Sequence, residues 1–303
     1  MATIVRGIVG TPVTPFTSDN RLDEATAERL TDFLIRNGAH GIAVPMHIGE
    51  SLNMSSEERK RLAEITVKVA AGRVPVFINV SLSGTDEVIA LARHAQSVGA
   101  AGVVVLTPYH WQPTQDALFE HYVAIGSAIE IGIIAYNFPL RLGVTITPGL
   151  VRRLIARLEN FVGLKDASVD MEYFTEICHA AADAGRPFSV FTGVEYTLPS
   201  LVLGGAGSFS ACGGVAPHLA RDLYAATARG DYDEARRLQY TMSGLWTLIK
   251  ADYPATIKAA MEIMGRPVGV TRRPIPQLSA DAKKKLEERL GALGILESQP
   301  HGW

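Results

Sequence analysis

The 303 residues include 47% hydrophobic side chains spread along the whole chain, enough for a large buried core, and no long tract has the composition of disorder. Lys plus Arg total 29 against 31 Asp plus Glu, for a formal net charge of -2, and no block of like charge extends beyond Lys283, Lys284 and Lys285, which excludes the basic footprint of a nucleic-acid or anionic-membrane binder. No run approaches the ~20 apolar residues of a membrane span, residues 1–10 lack an apolar signal stretch, and Cys178 and Cys212 form no CxxC pair, so a cytosolic chain with reduced core thiols is expected.

Apolar runs rich in Val, Ile and Phe recur about every 30 residues, the spacing of strand-plus-helix units. They cover 7–13, 41–45, 76–80, 102–106, 132–136, 161–165, 188–192 and 207–211. Helical periodicity fills the intervals, over 23–37, 55–71, 86–98, 115–129 and 170–184. Ser55 stands three residues before Glu58 in capping-box spacing, and Thr147 precedes Pro148, a favoured first-turn residue. Strands apolar throughout suit a parallel sheet covered by helices, and eight such units close most naturally into a (β/α)8 TIM barrel. An open doubly wound sheet is the alternative. Helical pattern continues over 216–228, 232–251, 254–264 and 280–293. Residues 1–225 are therefore expected to form the barrel, and 226–303 a C-terminal helical extension packed on it.

Barrel chemistry sits at the C-terminal ends of the strands, so polar residues that end apolar runs carry the information. The sixth run, Phe161-Val162-Gly163-Leu164, ends in Lys165, whereas the other lysines, Lys258 among them, fall in helical stretches where a charged head can reach water. An ammonium in a water-poor pocket loses solvation, its pKa falls, and the neutral amine is the nucleophile of imine formation. The competing expectation is a barrel-interior ion pair with Glu195 or Asp166. Tyr136 ends the fifth run, one unit earlier, either as a packing residue or as a phenol that moves protons at the same mouth.

The set Gly49-Glu50-Ser51, Thr107-Pro108-Tyr109, Tyr136-Asn137-Phe138-Pro139, Gly163-Leu164-Lys165-Asp166-Ala167 and Thr192-Gly193 falls on successive units, preceded by Gly10-Thr11-Pro12 and Thr14-Pro15-Phe16. In order and spacing it resembles the dihydrodipicolinate synthase / N-acetylneuraminate lyase family. The resemblance implies that Lys165 forms the Schiff base and Tyr136 is its acid/base residue. It implies that the loop through Ile48 and Gly49 cradles a 2-oxo acid's carboxylate with backbone N–H groups, and that Glu50 is structural. Arg141 matches an arginine that pairs with the second substrate's carboxylate, a contact suited to a guanidinium fork. The resemblance further implies a homotetramer built as a dimer of dimers, no cofactor, and small-molecule partners only, a 2-oxo acid and an aldehyde.

Other positions depart from the family pattern. Where two hydroxyl residues usually precede Gly-Glu, this chain has His47 and Ile48, and a tyrosine that crosses the dimer interface in dihydrodipicolinate synthase is matched by His110, followed by Trp111. His47 is expected either to replace a hydroxyl as proton shuttle, since imidazole titrates near neutral pH, or to recognise substrate, or to be structural. Gly193 keeps a close backbone approach and Phe209 adds an aromatic ring, so the mouth looks built for a substrate bulkier or flatter than aspartate semialdehyde. The reaction expected is aldol cleavage or condensation. Dehydration of a 2-keto-3-deoxy sugar acid by the same imine, dihydrodipicolinate synthesis proper, a metal hydrolase using His47, Glu50 and His110, and a non-catalytic carboxylate sensor are the alternatives.

Overall fold

The computed structural model describes residues 5–303. Eight strands, β1 (Gly7–Gly10), β2 (Gly41–Val44), β3 (Val76–Asn79), β4 (Gly102–Leu106), β5 (Gly132–Asn137), β6 (Phe161–Asp166), β7 (Ser189–Thr192) and β8 (Gly207–Ser210), form one closed barrel in chain order. Each strand is buried along its whole length, as a parallel sheet covered by helices outside and packed side chains inside requires. The parallel β1–β8 pairing overturns the open doubly wound alternative. Closure demands an exceptionally close backbone approach: Gly7 pairs with Gly207, whose φ is 155°, and a Cβ at Gly207 would sit 1.9 Å from the Gly7 carbonyl oxygen.

The helices start where their caps dictate. In α1 (Glu24–Arg36) the Asp23 carboxylate accepts from Thr26 N–H, and α2 (Ser56–Ala70) opens on a full Ser55–Glu58 capping box. α3 (Thr85–Ser97) and α4 (Gln115–Ser127) follow, then a one-turn α5 (Pro139–Leu142) and α6 (Pro148–Arg157), which starts at the Thr147-Pro148 signal. α7 (Met171–Ala182) and the short α8 (Thr197–Val202) complete the ring up to β8. Neither α5 nor α8 is legible from periodicity, because each spans less than two turns and contains proline. β1 is shorter than expected: after Gly10 both the N–H and the hydroxyl of Thr11 donate to Ser210 O, and the chain turns across the mouth.

α9 (Pro217–Ala228) closes the ring against α8 and β1; beyond it α10 (Tyr232–Ile249) packs on α8 and α9, α11 (Ala255–Ile263) on α10, and α12 (Ala280–Ala292), with the short α13 (Ile295–Ser298) against it, on α10 and α11. Arg266 is fully buried and donates to the carbonyls of Gly214 and Val215 on one side and Met264, Pro300 and Gly302 on the other, tying the chain end to the barrel. The consequence for the site is positional. The end of α10 and the connection to α11 carry Trp246, Lys250 and Tyr253 to the barrel mouth. Both cysteines are free and buried, and no helix among the described residues is long and apolar enough to cross a membrane.

Candidate active site

The β5–β6 register pairs Tyr136 with Lys165 and Asn137 with Asp166. Paired positions on neighbouring strands share a face, so the lysine and the phenol lie side by side. Lys165 is 4% exposed, and its Nζ stands 3.6 Å from the centre of the Tyr136 ring and 5.3 Å from that of Phe209 on β8. The expected alternative, a structural ion pair, is absent among the described residues. Asp166 is engaged by Asn137 Nδ2 at 2.8 Å and Ser168 Oγ at 2.8 Å, and Glu195 by Ser210 Oγ and the N–H groups of Ala211 and Cys212. Burial pushes the Lys165 ammonium down to about 7, against the opposing pull of Glu195 and then Asp166. A large share of the amine is therefore neutral and nucleophilic at neutral pH.

Gly193 makes room for this lysine. A Cβ there would lie 2.7 Å from Lys165 Cε and 3.0 Å from Asp166 O, too close for either to remain in place. Tyr136 is buried, and loss of solvation, followed by the neighbouring Tyr253 and Tyr109 phenols and Asp166, holds its hydroxyl well above the usual range. It is a proton donor at any physiological pH.

His47, on the short turn after β2, packs at a tilt against Tyr136 and Phe138 at ring distances of 5.7 and 5.6 Å, and its Nε2 is 2.9 Å from the Tyr109 hydroxyl. Its Nδ1 is buried with no partner among the described residues. Near-neutral titration, expected of a free imidazole, does not survive this setting: burial first, then the charges of Lys165, Arg141 and Arg59, push the group down to about 3. His47 is thus a neutral hydrogen-bonding ring, and burial pushes its partner phenol, Tyr109, up to about 12.

Within the same turn Gly49 N–H donates to Met46 O and Glu50 N–H to His47 O. Gly49 is therefore used up in holding the turn, with its carbonyl accepting from Thr14 Oγ1 at 2.5 Å, and the Ile48 N–H is in neither of the turn's bonds. Glu50, at φ 56° between two short turns, places its carboxylate 2.8 Å from Lys258 Nζ and 2.8 Å from the N–H of Arg272. Their side chains are 3% (Lys258) and 0% (Glu50) exposed, which corrects the expectation that Lys258 reaches water. α11 presents Lys258 inward, and periodicity alone does not distinguish a lysine on the packed face from one on the solvent face.

Two adjoining chambers open at the mouth. The inner one, of about 280 Å³, is lined by Lys165, Tyr136, Ile48 and Phe209 as well as by Trp246 and Lys250. The outer one, of about 460 Å³, holds Tyr109 and Asn53 and is not lined by Lys165, so the lysine chemistry belongs to the inner chamber. His47, Phe138, Arg141 and Tyr253 form the wall they share. His110 lines neither chamber: it is exposed, with φ 69°, and packs on Trp111. The preceding residue, Tyr109, lines the outer chamber and meets His47 there. The His47, Glu50 and His110 trio does not converge within the chain, because Glu50 is committed to Lys258 and His110 lines neither chamber. Tyr253, Trp246 and Lys250 carry no sequence signal, since they arrive from beyond the eighth strand. Tyr109 had one: it follows β4, whose last residue, Leu106, pairs with Tyr136.

Comparison with known proteins is consistent across the whole molecule. The model of the dihydrodipicolinate synthetase family matches residues 4–293. The chain belongs to this family. A relative from Acidiphilium cryptum (strain JF-5), 4-hydroxy-tetrahydrodipicolinate synthase, is 37% identical over 286 residues, 94% of this chain and 97% of that one. The probable 2-dehydro-3-deoxy-D-pentonate aldolase YjhH of Escherichia coli (strain K12) is 34% identical and covers 96% of this chain and 98% of its own. Among solved structures, YagE, a prophage protein of the same family from E. coli K12 in complex with pyruvate, superposes with a TM-score of 0.93 at 31% identity, covering 97% of this chain and 100% of that one. The dihydrodipicolinate synthetase family is one of class I aldolase-type lyases, and this member is such an enzyme.

Proposed function

We propose that this enzyme joins a 2-oxo acid to an aldehyde, or cleaves the product, through an imine on Lys165. The observation that carries the proposal is a buried lysine without a carboxylate partner, its amine at about 7, in register beside a phenol that burial keeps protonated. The neutral amine adds to the C2 carbonyl and water leaves, forming a protonated imine. That cation draws electrons from C3, a C3 proton is lost, and the resulting enamine attacks the aldehyde carbon. The aldehyde oxygen becomes a hydroxyl by taking a proton, which Tyr136 donates. Water then hydrolyses the imine and frees Lys165, and the reverse sequence is cleavage.

The other residues serve this sequence. Ile48 N–H, outside the turn's own hydrogen bonds, is the donor available to the 2-oxo acid's carboxylate. Gly49 shapes that turn, Gly193 leaves the lysine its space, and Phe209 keeps the amine dry. His47 acts as a neutral hydrogen-bonding link between Tyr109 and the chamber, and Arg141 receives the acceptor's charge. Pyruvate is the donor best supported, since YagE was crystallised with it. Borohydride reduction of the enzyme with pyruvate, followed by mass analysis, is expected to find the adduct on the Lys165 peptide and none in Lys165→Ala. An unmodified Lys165 peptide with every 2-oxo acid tried would overturn the proposal. Release of an aldehyde from the aldol product, rather than an oxo acid lighter by one water, separates aldolase from dehydratase.

A further inference from the structure

Resting on the imine chemistry just proposed, we infer that the aldehyde partner is a flat, hydroxyl-poor molecule bearing one anionic group, an aromatic aldehyde acid rather than a polyhydroxylated sugar acid. The inference comes from what lines the inner chamber beyond Lys165. Four rings, Phe138, Tyr196, Trp246 and Tyr253, form its outer part, and the apolar Leu140 and Val169 stand exposed at its rim, 67% and 48% accessible. Exposed aliphatic residues at the edge of a cleft otherwise polar at its depth mark where an apolar body enters. Rings in this number suit a planar partner, which they contact over large area at little entropic loss.

The hydrogen-bonding inventory points the same way. No Asp, Glu, Asn, Gln or Ser lines the chamber. Thr11, the one threonine among the described residues that line it, donates its hydroxyl hydrogen to Ser210 O. Each hydroxyl of a sugar chain is both donor and acceptor, and a dry site must supply partners for both. Among the described residues the side-chain acceptors are limited to the phenols, Thr11 Oγ1 and one imidazole nitrogen, too few for a row of adjacent hydroxyls.

Charge supplies the remaining element. Two cations besides Lys165 line the chamber, Arg141 from α5 and Lys250 at the C-cap of α10. Neither has a carboxylate partner among the described residues, and no acid lines the chamber to neutralise them. His47 adds no charge, since burial keeps it neutral. Unpaired cations over an aromatic wall recognise an anion carried by the same molecule that the rings hold. Lys250 is absent from the outer chamber whereas Arg141 faces both, so Lys250 is the residue that ties the anion to the lysine-bearing side.

In the reaction the enamine C3 forms a bond to the aldehyde carbon while the carbonyl π bond breaks. The oxygen takes the proton from Tyr136, and the C3 proton lost earlier balances it. The water released on imine formation returns at hydrolysis, so pyruvate plus aldehyde equals the 4-hydroxy-2-oxo acid, and no oxidant or reductant enters.

The test uses the full-length enzyme with pyruvate and four acceptors: 4-carboxybenzaldehyde, benzaldehyde, succinate semialdehyde and D-glyceraldehyde. Carboxybenzaldehyde is expected to have the highest kcat/KM, by about tenfold or more over the uncharged ring and the polyol, the scale of one added charge-assisted contact. Lys250→Met is expected to raise KM for carboxybenzaldehyde more than for benzaldehyde, and Trp246→Ala to weaken both ring substrates more than succinate semialdehyde. Highest kcat/KM with glyceraldehyde or succinate semialdehyde, or equal effects of Lys250→Met on charged and uncharged rings, overturns the inference. Borohydride trapping of pyruvate runs in parallel. A trapped imine with the wrong acceptor preference removes only the inference, whereas no imine removes the imine chemistry beneath it as well.

Discussion

Replacing Lys258 by Met leaves the Glu50 carboxylate, 0% exposed, without the ammonium that stands 2.8 Å from it. The Arg272 N–H at 2.8 Å and the long contact from Asn53 Nδ2 at 3.4 Å remain, but neutral donors do not offset a buried negative charge. Removing one member of a buried pair costs about 3–5 kcal/mol, because the other stays desolvated and uncompensated. At ~2.1 cal/mol/K of unfolding entropy per residue, that loss lowers Tm by roughly 5–8 °C for a chain of this length. The damage is also directional, since Glu50 N–H holds His47 O and the same turn carries Ile48. KM for the 2-oxo acid is therefore expected to rise more than kcat falls. Differential scanning calorimetry and steady-state kinetics on Lys258→Met, Glu50→Gln and the double variant measure both effects. The double variant, which buries no net charge, is expected to recover most of the lost Tm. An unchanged Tm in Lys258→Met, or additive losses in the double variant, would refute the claim that a buried charge pair anchors the carboxylate turn.

Protonation of Lys165 removes the nucleophile, and with burial holding its pKa at about 7, kcat/KM for the 2-oxo acid rises with pH to a plateau above that value. An acidic limb with its midpoint at the ordinary lysine range would contradict this. The same depression means the folded state binds fewer protons than the unfolded one between pH 7 and the unfolded lysine's ~10.4, so this group's contribution to stability increases with pH across that window. Urea melts of wild type against Lys165→Met, over that range, read the difference. Gly193→Ala puts a methyl 2.7 Å from Lys165 Cε, and activity is expected to fall by about 100-fold at an overpacking cost of about 1–3 kcal/mol in a denaturant melt. Wild-type activity there would show that the lysine needs no such space. Tyr109→Phe removes the hydroxyl 2.9 Å from His47 Nε2, and a fall in kcat of about tenfold is expected with borohydride trapping intact. Loss of trapping instead would move Tyr109 from proton handling to imine formation.

Much of the site was readable because each element reports on its own neighbourhood. Lys165 ends an apolar strand, and a charge there has nowhere to go except the barrel mouth. Capping residues such as Ser55 and Thr147 marked helix starts because a side chain and the N–H three residues on are bound to meet. His110 is the opposite case, because a residue matched to one that crosses a dimer interface is placed by the loop and the assembly rather than by its own neighbourhood. Within one chain Tyr109 meets His47, while the loop after β4 holds His110 exposed in a left-handed conformation that no local pattern announces.

Eight strand-plus-helix units, the lysine at the end of β6 and the phenol on the strand before it were legible from local periodicity and strand order, which place both groups at one end of the sheet, whereas closure into a barrel came from the β1–β8 pairing. Three other matters depended on packing between distant parts of the chain. It brought Trp246, Lys250 and Tyr253 from the C-terminal helices over a mouth built by residues far earlier in the chain. It buried Lys258 against Glu50, although a helical lysine usually faces water. It also removed the charge from His47, whose titration depends on solvent and on Lys165, Arg141 and Arg59, none of them near it in sequence. Burial and long-range Coulomb interactions are properties of the packed molecule, and they set which of these groups carries a charge.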